Sequence, residues 1–199
     1  MRNRNKLVYG VGVNDADYFV YGTENHKIVW RCPYYRAWKD MLVRAYSDKY
    51  KQRQPTYNGV TVCEEWHSFM RFRAWMIQQD WSGKELDKDI LVPGNKVYSP
   101  NTCVFVDKVV NSFLVDRAAD RGEWPLGVYW NEQNQKFMSR CSNPFTKKNE
   151  YLGLFQCPNQ AHLAWKARKH ELACQLADLQ TDERVAEALR VRYGEVGNE

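Results

Sequence analysis

Apolar residues recur at helical spacing in several stretches of the chain. The spacing predicts a first helix over 33–46, in which Pro33 suits the first turn and the apolar positions are Tyr34, Trp38, Met41, Leu42 and Ala45. A second helix is predicted over 64–79, and because its apolar residues form more than one stripe it is expected to pack on two sides. A long helix is predicted after Pro158, and Thr181 is predicted to cap a last amphipathic helix.

Short apolar or alternating runs predict strands in two further groups. The first group comprises 60–62, 86–92 and 102–106, and a short helix that carries Asn111 follows it. The second group comprises 127–130, 136–141 and 150–155. The pattern predicts an α+β protein with N-terminal helices, a strand–loop–strand–helix core, and then a three-stranded antiparallel sheet packed on a helix. We expect domains at 1–116 and 117–178, with a C-terminal amphipathic helix and tail at 179–199.

The charge is unevenly distributed along the chain. A net charge of +5 comes from 29 basic and 24 acidic residues, and 31–53 alone contains seven Lys or Arg against two Asp or Glu. Basic segments of this kind suit a polyanion such as a nucleic acid. The alternative is that they are solvated helix faces without a specific partner.

The cysteines and the apolar runs limit the class of protein. The 6 cysteines contain no Cys-x-x-Cys pair, so zinc spacing is absent, a disulfide framework is disfavoured, and buried thiols are expected. No apolar run reaches about 18 residues, and the N-terminus lacks the apolar core of a signal peptide. We therefore expect no membrane partner and a soluble protein of the cytoplasm.

Acidic and amide side chains concentrate in the first group of strands. Asp87, Lys88 and Asp89 lie on its second strand, a Gly-Asn and Tyr-Ser-Pro loop that contains Asn101 follows, and Asn111 lies on the helix. A Mg²⁺ ion takes hard oxygen ligands and keeps positions open for water and a phosphate, which suits this set of side chains. The order and spacing resemble the HNH (His-Me finger) endonucleases of phages and mobile introns. This implies a degenerate ββα-metal core, encoded by a phage and acting in a bacterial host cell.

The resemblance implies a role for each of these residues. Asp87 and Asn111 would bind one Mg²⁺ or Mn²⁺ ion, and Asn101 matches the asparagine that braces the catalytic base. Lys88 departs from the family, because it occupies the place of the histidine that takes a proton from water. A lysine is protonated below its ordinary pKa of about 10.4, so it is a poor base near neutrality. Lys88 would act as the base beside the metal, or would bind phosphate or stabilise the leaving oxygen, and Asp89 is the rival base or second ligand.

The upstream block also resembles the leader of phage-encoded HNH homing-type endonucleases. The resemblance covers about 5–115 and rests on Cys32-Pro33-Tyr34-Tyr35, Trp38, Met41-Leu42, Arg44, Tyr57, Gly59, Glu65-Trp66 and Phe69. Core packing explains most of these aromatic residues. The predicted phosphate contacts in this region are Arg36, Arg44, Lys49, Lys51 and Arg53. None of the four histidines falls in the motif, although His67 could reach it from the preceding helix.

The C-terminal strands resemble a second family. Its motifs here are Trp124-Pro125-Leu126-Gly127-Val128, Lys136-Phe137, Tyr151-Leu152-Gly153, Phe155 and Ala161 to Trp165, which look like the APETALA2/ethylene-response-factor DNA-binding domain. That resemblance implies a sheet laid in the major groove with a helix behind it. We expect Tyr129, Lys136, Met138 and Arg140 to be split between the two faces of the sheet. Trp130 and Arg140 are the first choices for DNA contact, and Lys136, Lys147 and Lys148 are predicted to meet phosphates.

These observations favour a metal-dependent DNA endonuclease of the HNH homing type, whose C-terminal sheet selects the site on double-stranded DNA. The first alternative is a catalytically inactive HNH scaffold that binds DNA as a regulatory phage protein, which the missing histidine favours. The second is an interaction protein that engages a partner protein through its aromatic surfaces. Salt-dependent binding without cleavage would indicate the regulator.

Overall fold

The computed structural model describes residues 7–115 and 123–194. The chain divides into two compact units, Met1–Asp107 and Lys108–Glu199. Both helices and strands are present, so the predicted α+β class is confirmed. No helix in the described ranges combines the length and the apolar character needed to cross a membrane.

The first unit consists of short strands around a helical core. Its helices are α1 (Pro33–Tyr46), α2 (Asp48–Arg53) and α3 (Phe69–Met76), with single 3-10 turns at Pro55–Tyr57 and Glu64–His67. Its strands are β1 (Tyr21–Glu24), β2 (Lys27–Arg31), β3 (Thr61–Val62), β4 (Glu85–Asp87), β5 (Val97–Tyr98) and β6 (Val104–Val106). They form the antiparallel pairs β1–β2 and β4–β6 and the parallel pair β3–β5.

The first helix agrees with its prediction from 33 to 46, and its apolar stripe builds the core. Trp38, Met41, Leu42 and Ala45 are each at most 1% exposed. The Trp38 indole N–H donates to the Trp66 carbonyl oxygen at 2.7 Å, so the polar atom of this fully buried side chain is satisfied. Aromatic rings therefore supply both the volume and part of the specificity of this small core.

The prediction of one helix over 64–79 is wrong. The chain makes a 3-10 turn over Glu64–His67, breaks at Ser68, and begins α3 at Phe69. The Ser68 hydroxyl accepts the Arg71 N–H, and Asp15 accepts both the Ser68 hydroxyl and the Met70 N–H. A serine that caps a helix competes with continuation of the preceding turn, which explains the break.

The predicted strand over 86–92 is also shorter in the structure. β4 ends at Asp87 because that carboxylate accepts the backbone N–H groups of Asp89 and Ile90, both at 2.8 Å. An aspartate that binds the amides two and three residues ahead bends the chain out of the extended conformation. The acidic motif therefore lies at the end of a strand and in the turn after it.

The second unit packs two helices behind a sheet. It contains α4 (Lys108–Leu114), β7 (Val128–Asn131), β8 (Lys136–Ser142), β9 (Asn149–Phe155), α5 (Pro158–Ala177) and α6 (Glu183–Arg192). The strands form the predicted three-stranded antiparallel sheet, and their order is β7-β8-β9. α5 packs against the sheet and α6 packs against α5. The cap of α6 is Asp182, which accepts the Arg184 N–H at 3.0 Å, and not Thr181 as predicted.

The central strand shows which sheet face is covered. Ser139 and Cys141 are fully buried, whereas Arg140 between them is exposed. Successive side chains of a strand point to opposite faces, so Ser139 and Cys141 lie on the side of α5 and Arg140 lies on the open side. We refer to the side away from α5 as the open face of the sheet.

Candidate functional sites

The acidic motif forms a tight local cluster. Asp87 uses one carboxylate oxygen for the two backbone N–H groups described above. Burial raises the pKa of Asp87, and the nearby Asp89 carboxylate raises it further. Lys88 is 7% exposed, and its ammonium donates to the Asp89 carboxylate at 3.1 Å and lies 5.7 Å from the centre of the Tyr57 ring. Lys88 is thus buried and held beside a carboxylate.

Polar side chains from elsewhere in the first unit hold this cluster in place. The Asn95 amide donates to the carbonyl oxygens of Lys88 and Val97, each at 2.7 Å, and so ties the motif to the loop that follows it. Arg44 donates to the Leu86 carbonyl at 3.3 Å. Burial disfavours its charge, but the Tyr98 and Tyr57 hydroxyls outweigh that effect and raise the pKa of Arg44. Arg44 is half-buried, and its bond to the Leu86 carbonyl holds it against β4; its predicted contact with phosphate stays a prediction.

The two asparagines of the motif occupy different places. Asn101 is exposed and lines a groove with Cys63, Arg71 and Trp75. Asn111 is half-buried on α4 and belongs to the second unit, whereas Asp87 belongs to the first. Over 7–115 and 123–194, no three His, Cys, Asp or Glu side chains form a group that could hold a metal ion. Asp87 and Asn111, the two predicted ligands of Mg²⁺ or Mn²⁺, therefore belong to different units.

The other cations predicted in the first unit lie on helix surfaces. Arg36 is exposed on α1 and approaches Asp40 at 3.9 Å, a geometry that contributes little stability. Lys51 and Arg53 lie in the last turn of α2, where positive charge is favourable, and Lys49 is exposed at its start. His67 lies 3.4 Å from the Tyr46 hydroxyl and so has a partner on α1.

The open face of the sheet brings together exposed aromatic and cationic side chains. The register pairs Tyr129 with Met138 and Arg140 with Tyr151. Lys136 is on the same face, because it lies two and four residues before Met138 and Arg140 on β8. Tyr129 is 53% exposed and Tyr151 is 60% exposed.

The prediction that Tyr129, Lys136, Met138 and Arg140 divide between the two faces is therefore wrong. The cross-strand register puts Tyr129 opposite Met138, and β8 alternates without interruption from Lys136 to Arg140. The register shift falls in β9, where Leu152 has no partner between Tyr151 and Gly153. This bulge returns Tyr151 to the open face, a position that sequence periodicity alone cannot give.

The other residues predicted to contact DNA, Trp130, Lys147 and Lys148, lie outside the open face. Trp130 pairs with Phe137 and makes an edge contact with its ring at 5.0 Å, so Trp130 lies on the opposite face from Arg140. Lys147 and Lys148 are exposed in the turn between β8 and β9. Asn143 shapes that turn by accepting the N–H groups of Phe145 and Thr146 at 2.8 and 3.1 Å.

Buried and ionic contacts fix the sheet on α5. The Arg168 guanidinium on α5 donates to Glu150 on β9 at 2.7 Å, and this bond lowers the pKa of Glu150. Gly127 lies against the Trp165 ring with a positive φ of 76°, and a Cβ built there would be 2.0 Å from a Trp165 carbon. Glycine is required at this point because a side chain has no room. The rigid support keeps the residues of the open face in fixed relative positions.

Comparison with known proteins adds no family. No protein-family model, no curated protein and no solved structure matches this chain. The sites therefore rest on the residues and geometry described above.

Proposed function

We propose that this protein binds double-stranded DNA through the open face of the β7-β8-β9 sheet. The observation that carries the proposal is the shared position of Lys136, Arg140, Tyr129 and Tyr151 on a face that α5 leaves uncovered. A sheet of this kind can enter the major groove of B-DNA, which is about 12 Å wide. The sequence resemblance to a sheet-based DNA-binding domain supports the same partner.

The charged groups of this face are available for a ligand. Among the described residues, the side chains of Lys136 and Arg140 have no hydrogen-bond or ion-pair partner. Arg140 lies on the central strand, where a guanidinium can read guanine through two hydrogen bonds. Lys147 and Lys148 extend the positive charge into the β8–β9 turn, which suits contact with phosphates.

Binding of a labelled DNA duplex, followed by fluorescence anisotropy, tests the proposal. Arg140→Ala should weaken binding to a preferred duplex by about 1–3 kcal/mol, or about 5- to 150-fold, because a bidentate contact to a base is lost. Arg184→Ala is the matched control, since it removes the same charge from the start of α6. Equal affinities of the two variants would refute a role for the open face.

The second candidate function is metal-dependent DNA cleavage of the HNH homing type. The observation that favours it is the proximity of the Asp87 and Asp89 carboxylates, since the Asp89 charge adds to burial in raising the pKa of Asp87. A bound Mg²⁺ or Mn²⁺ ion would relieve that repulsion and polarise a phosphate. Asp87 offers its second carboxylate oxygen, and Asp89 is 45% exposed at its side chain, so both can still bind an ion.

Nicking of supercoiled DNA in Mg²⁺ or Mn²⁺ tests this second function. Cleavage should be lost in Asp87→Asn and in Asp89→Asn, while duplex binding is kept. Asp48→Asn, an exposed aspartate at the start of α2, is the matched control and should cleave normally. Duplex binding without cleavage in the unmodified protein would assign the chain to the DNA-binding alternative.

A further inference from the structure

A groove in the first unit lies outside the acidic cluster and outside the sheet. It has a volume of about 610 Å³, which falls within the range of about 300–1,000 Å³ typical of ligand sites. One wall carries Arg71, Trp75 and Gln78, at spacings of four and three residues along α3 and the turn that follows it. The other wall carries Ser99, Pro100 and Asn101.

Aromatic contacts hold the wall of the groove that carries Trp75. Trp75 is half-buried and stacks on Phe105 at 5.8 Å with an angle of 28° between the rings. Trp66 contacts the same indole at 4.6 Å. The loop with Asn101 is also held, because the Thr102 hydroxyl donates to the Val97 carbonyl at 2.9 Å. The accessible part of the Trp75 indole is therefore a fixed surface.

Three polar side chains of the groove are left without internal partners. Within 7–115 and 123–194, the side chains of Arg71, Gln78 and Asn101 make no hydrogen bond or ion pair. Arg71 and Gln78 are exposed, as is Asn101. Elsewhere in this unit comparable side chains are used internally, as with Asn95, which donates to two backbone carbonyls.

We propose that this groove binds one unpaired nucleotide of a DNA strand. The Trp75 indole offers a surface for a base, the Gln78 and Asn101 amides each offer one donor and one acceptor group to its polar edge, and Arg71 offers a cation to its phosphate. A base in a duplex is stacked and paired, so the groove takes a base that is already single-stranded or extruded. The inference adds a second site to the proposed DNA binding and rests on DNA being the partner.

The chemistry distinguishes this site from a simple phosphate site. A phosphate site needs cations, whereas this groove has one arginine, two amides, an indole and the Glu65 carboxylate. A carboxylate disfavours a second phosphate, but it can accept a hydrogen bond from the amino group of a base. The base, and not the backbone alone, should therefore contribute to binding.

Anisotropy titrations of the full chain with two short single-stranded DNA probes test the inference. One probe carries bases, and the other is an abasic strand of equal length and charge. The protein should prefer the strand with bases by roughly tenfold, in line with the contribution of one stacked base. Gln78→Ala with Asn101→Ala should weaken binding of the strand with bases and leave the abasic strand unchanged, whereas Arg71→Ala should weaken both.

Gln52→Ala is the matched control, because Gln52 is an exposed helical amide on α2. It should change neither affinity. Equal binding of the two strands, no binding of either strand, or a preference that survives the Gln78 and Asn101 substitutions would overturn the proposal. Duplex binding by the sheet is read separately through Arg140→Ala, so failure of one site is distinguishable from failure of the other.

Discussion

The two lysines of the β8–β9 turn should set most of the salt dependence of duplex binding by the sheet. Lys147 and Lys148 are exposed, and neither side chain has a hydrogen-bond or ion-pair partner among the described residues. Lys136 is the third cation assigned to phosphate, while Arg140 is assigned to a base. Replacing both turn lysines by Gln keeps the length and polarity of the side chains and removes two positive charges.

The size of the effect follows from counterion release. Each phosphate contact contributes about −0.9 to the slope of log K against log salt, so three lysines predict a slope of about −2.7. Affinity then falls about 40-fold between 50 and 200 mM salt, as an order-of-magnitude value from the same relation. The double variant keeps one such contact, so its slope should be about −0.9 and its affinity should fall only about 3-fold over that range.

Anisotropy of a labelled duplex at several salt concentrations measures both slopes. Arg184→Gln with Arg190→Gln is the control, since it removes two charges from α6 and leaves the turn intact. An unchanged slope in the turn variant would refute a role for Lys147 and Lys148 in phosphate contact. An equal loss of slope in the α6 control would show that net charge, and not the position of the charges, governs binding.

Three further predictions concern stability. Burial and the neighbouring Asp89 carboxylate raise the pKa of Asp87, so the ionised side chain destabilises the fold at neutral pH. Asp87→Asn should therefore raise Tm at pH 7. The gain should vanish below the ordinary aspartate pKa of about 3.9, where the side chain is protonated in both the folded and the unfolded states. Gly127→Ala should lower the free energy of unfolding by about 3 kcal/mol in urea titrations, because a Cβ meets Trp165 and φ is positive. Burial lowers the pKa of Lys169 from 10.5 to about 8. The free energy of unfolding should therefore rise by about 2 kcal/mol between pH 8 and 10.5, relative to Lys169→Met. The Phe113 carbonyl and ring, which contact the ammonium, limit this gain.

One outcome would contradict each of these three predictions. A lower Tm for Asp87→Asn at pH 7 would mean that the carboxylate stabilises its turn in ionised form. An unchanged unfolding midpoint for Gly127→Ala would contradict the close approach of Trp165. Parallel pH profiles for the unmodified protein and Lys169→Met would show that the ammonium is not desolvated.

Regular periodicity was enough to predict the elements with strong patterns. The helix over 33–46 and the three strands of the C-terminal sheet were predicted because their apolar positions follow a single period. Elsewhere, hydrogen bonds from side chains to nearby backbone N–H groups ended elements that the apolar pattern predicted to continue. Ser68 divides the aromatic segment 64–79, and Asp87 ends its strand by binding two amides ahead of it.

The sites were harder to predict because they depend on register and on tertiary contact. The bulge in β9 decides which residues share a face with Arg140, and a bulge leaves no clear mark in the sequence. Arg44 looks like any basic helix residue until Tyr57 and Tyr98 are seen around it. Neither Arg71 nor Gln78 was predicted as a site residue, although the spacing of Arg71, Trp75 and Gln78 along α3 and the turn after it could have suggested a common surface.

The most direct test of the central claim is an NMR titration of the labelled full chain with a DNA duplex. The backbone amide signals of Tyr129, Arg140 and Tyr151 on the open face should shift, as should the side-chain signal of Arg140. Signals from the helix side of the sheet, such as Cys141, should move much less. Shifts confined to residues away from the open face, or no shifts at concentrations that bind DNA, would contradict the assignment of the sheet as the duplex-binding surface.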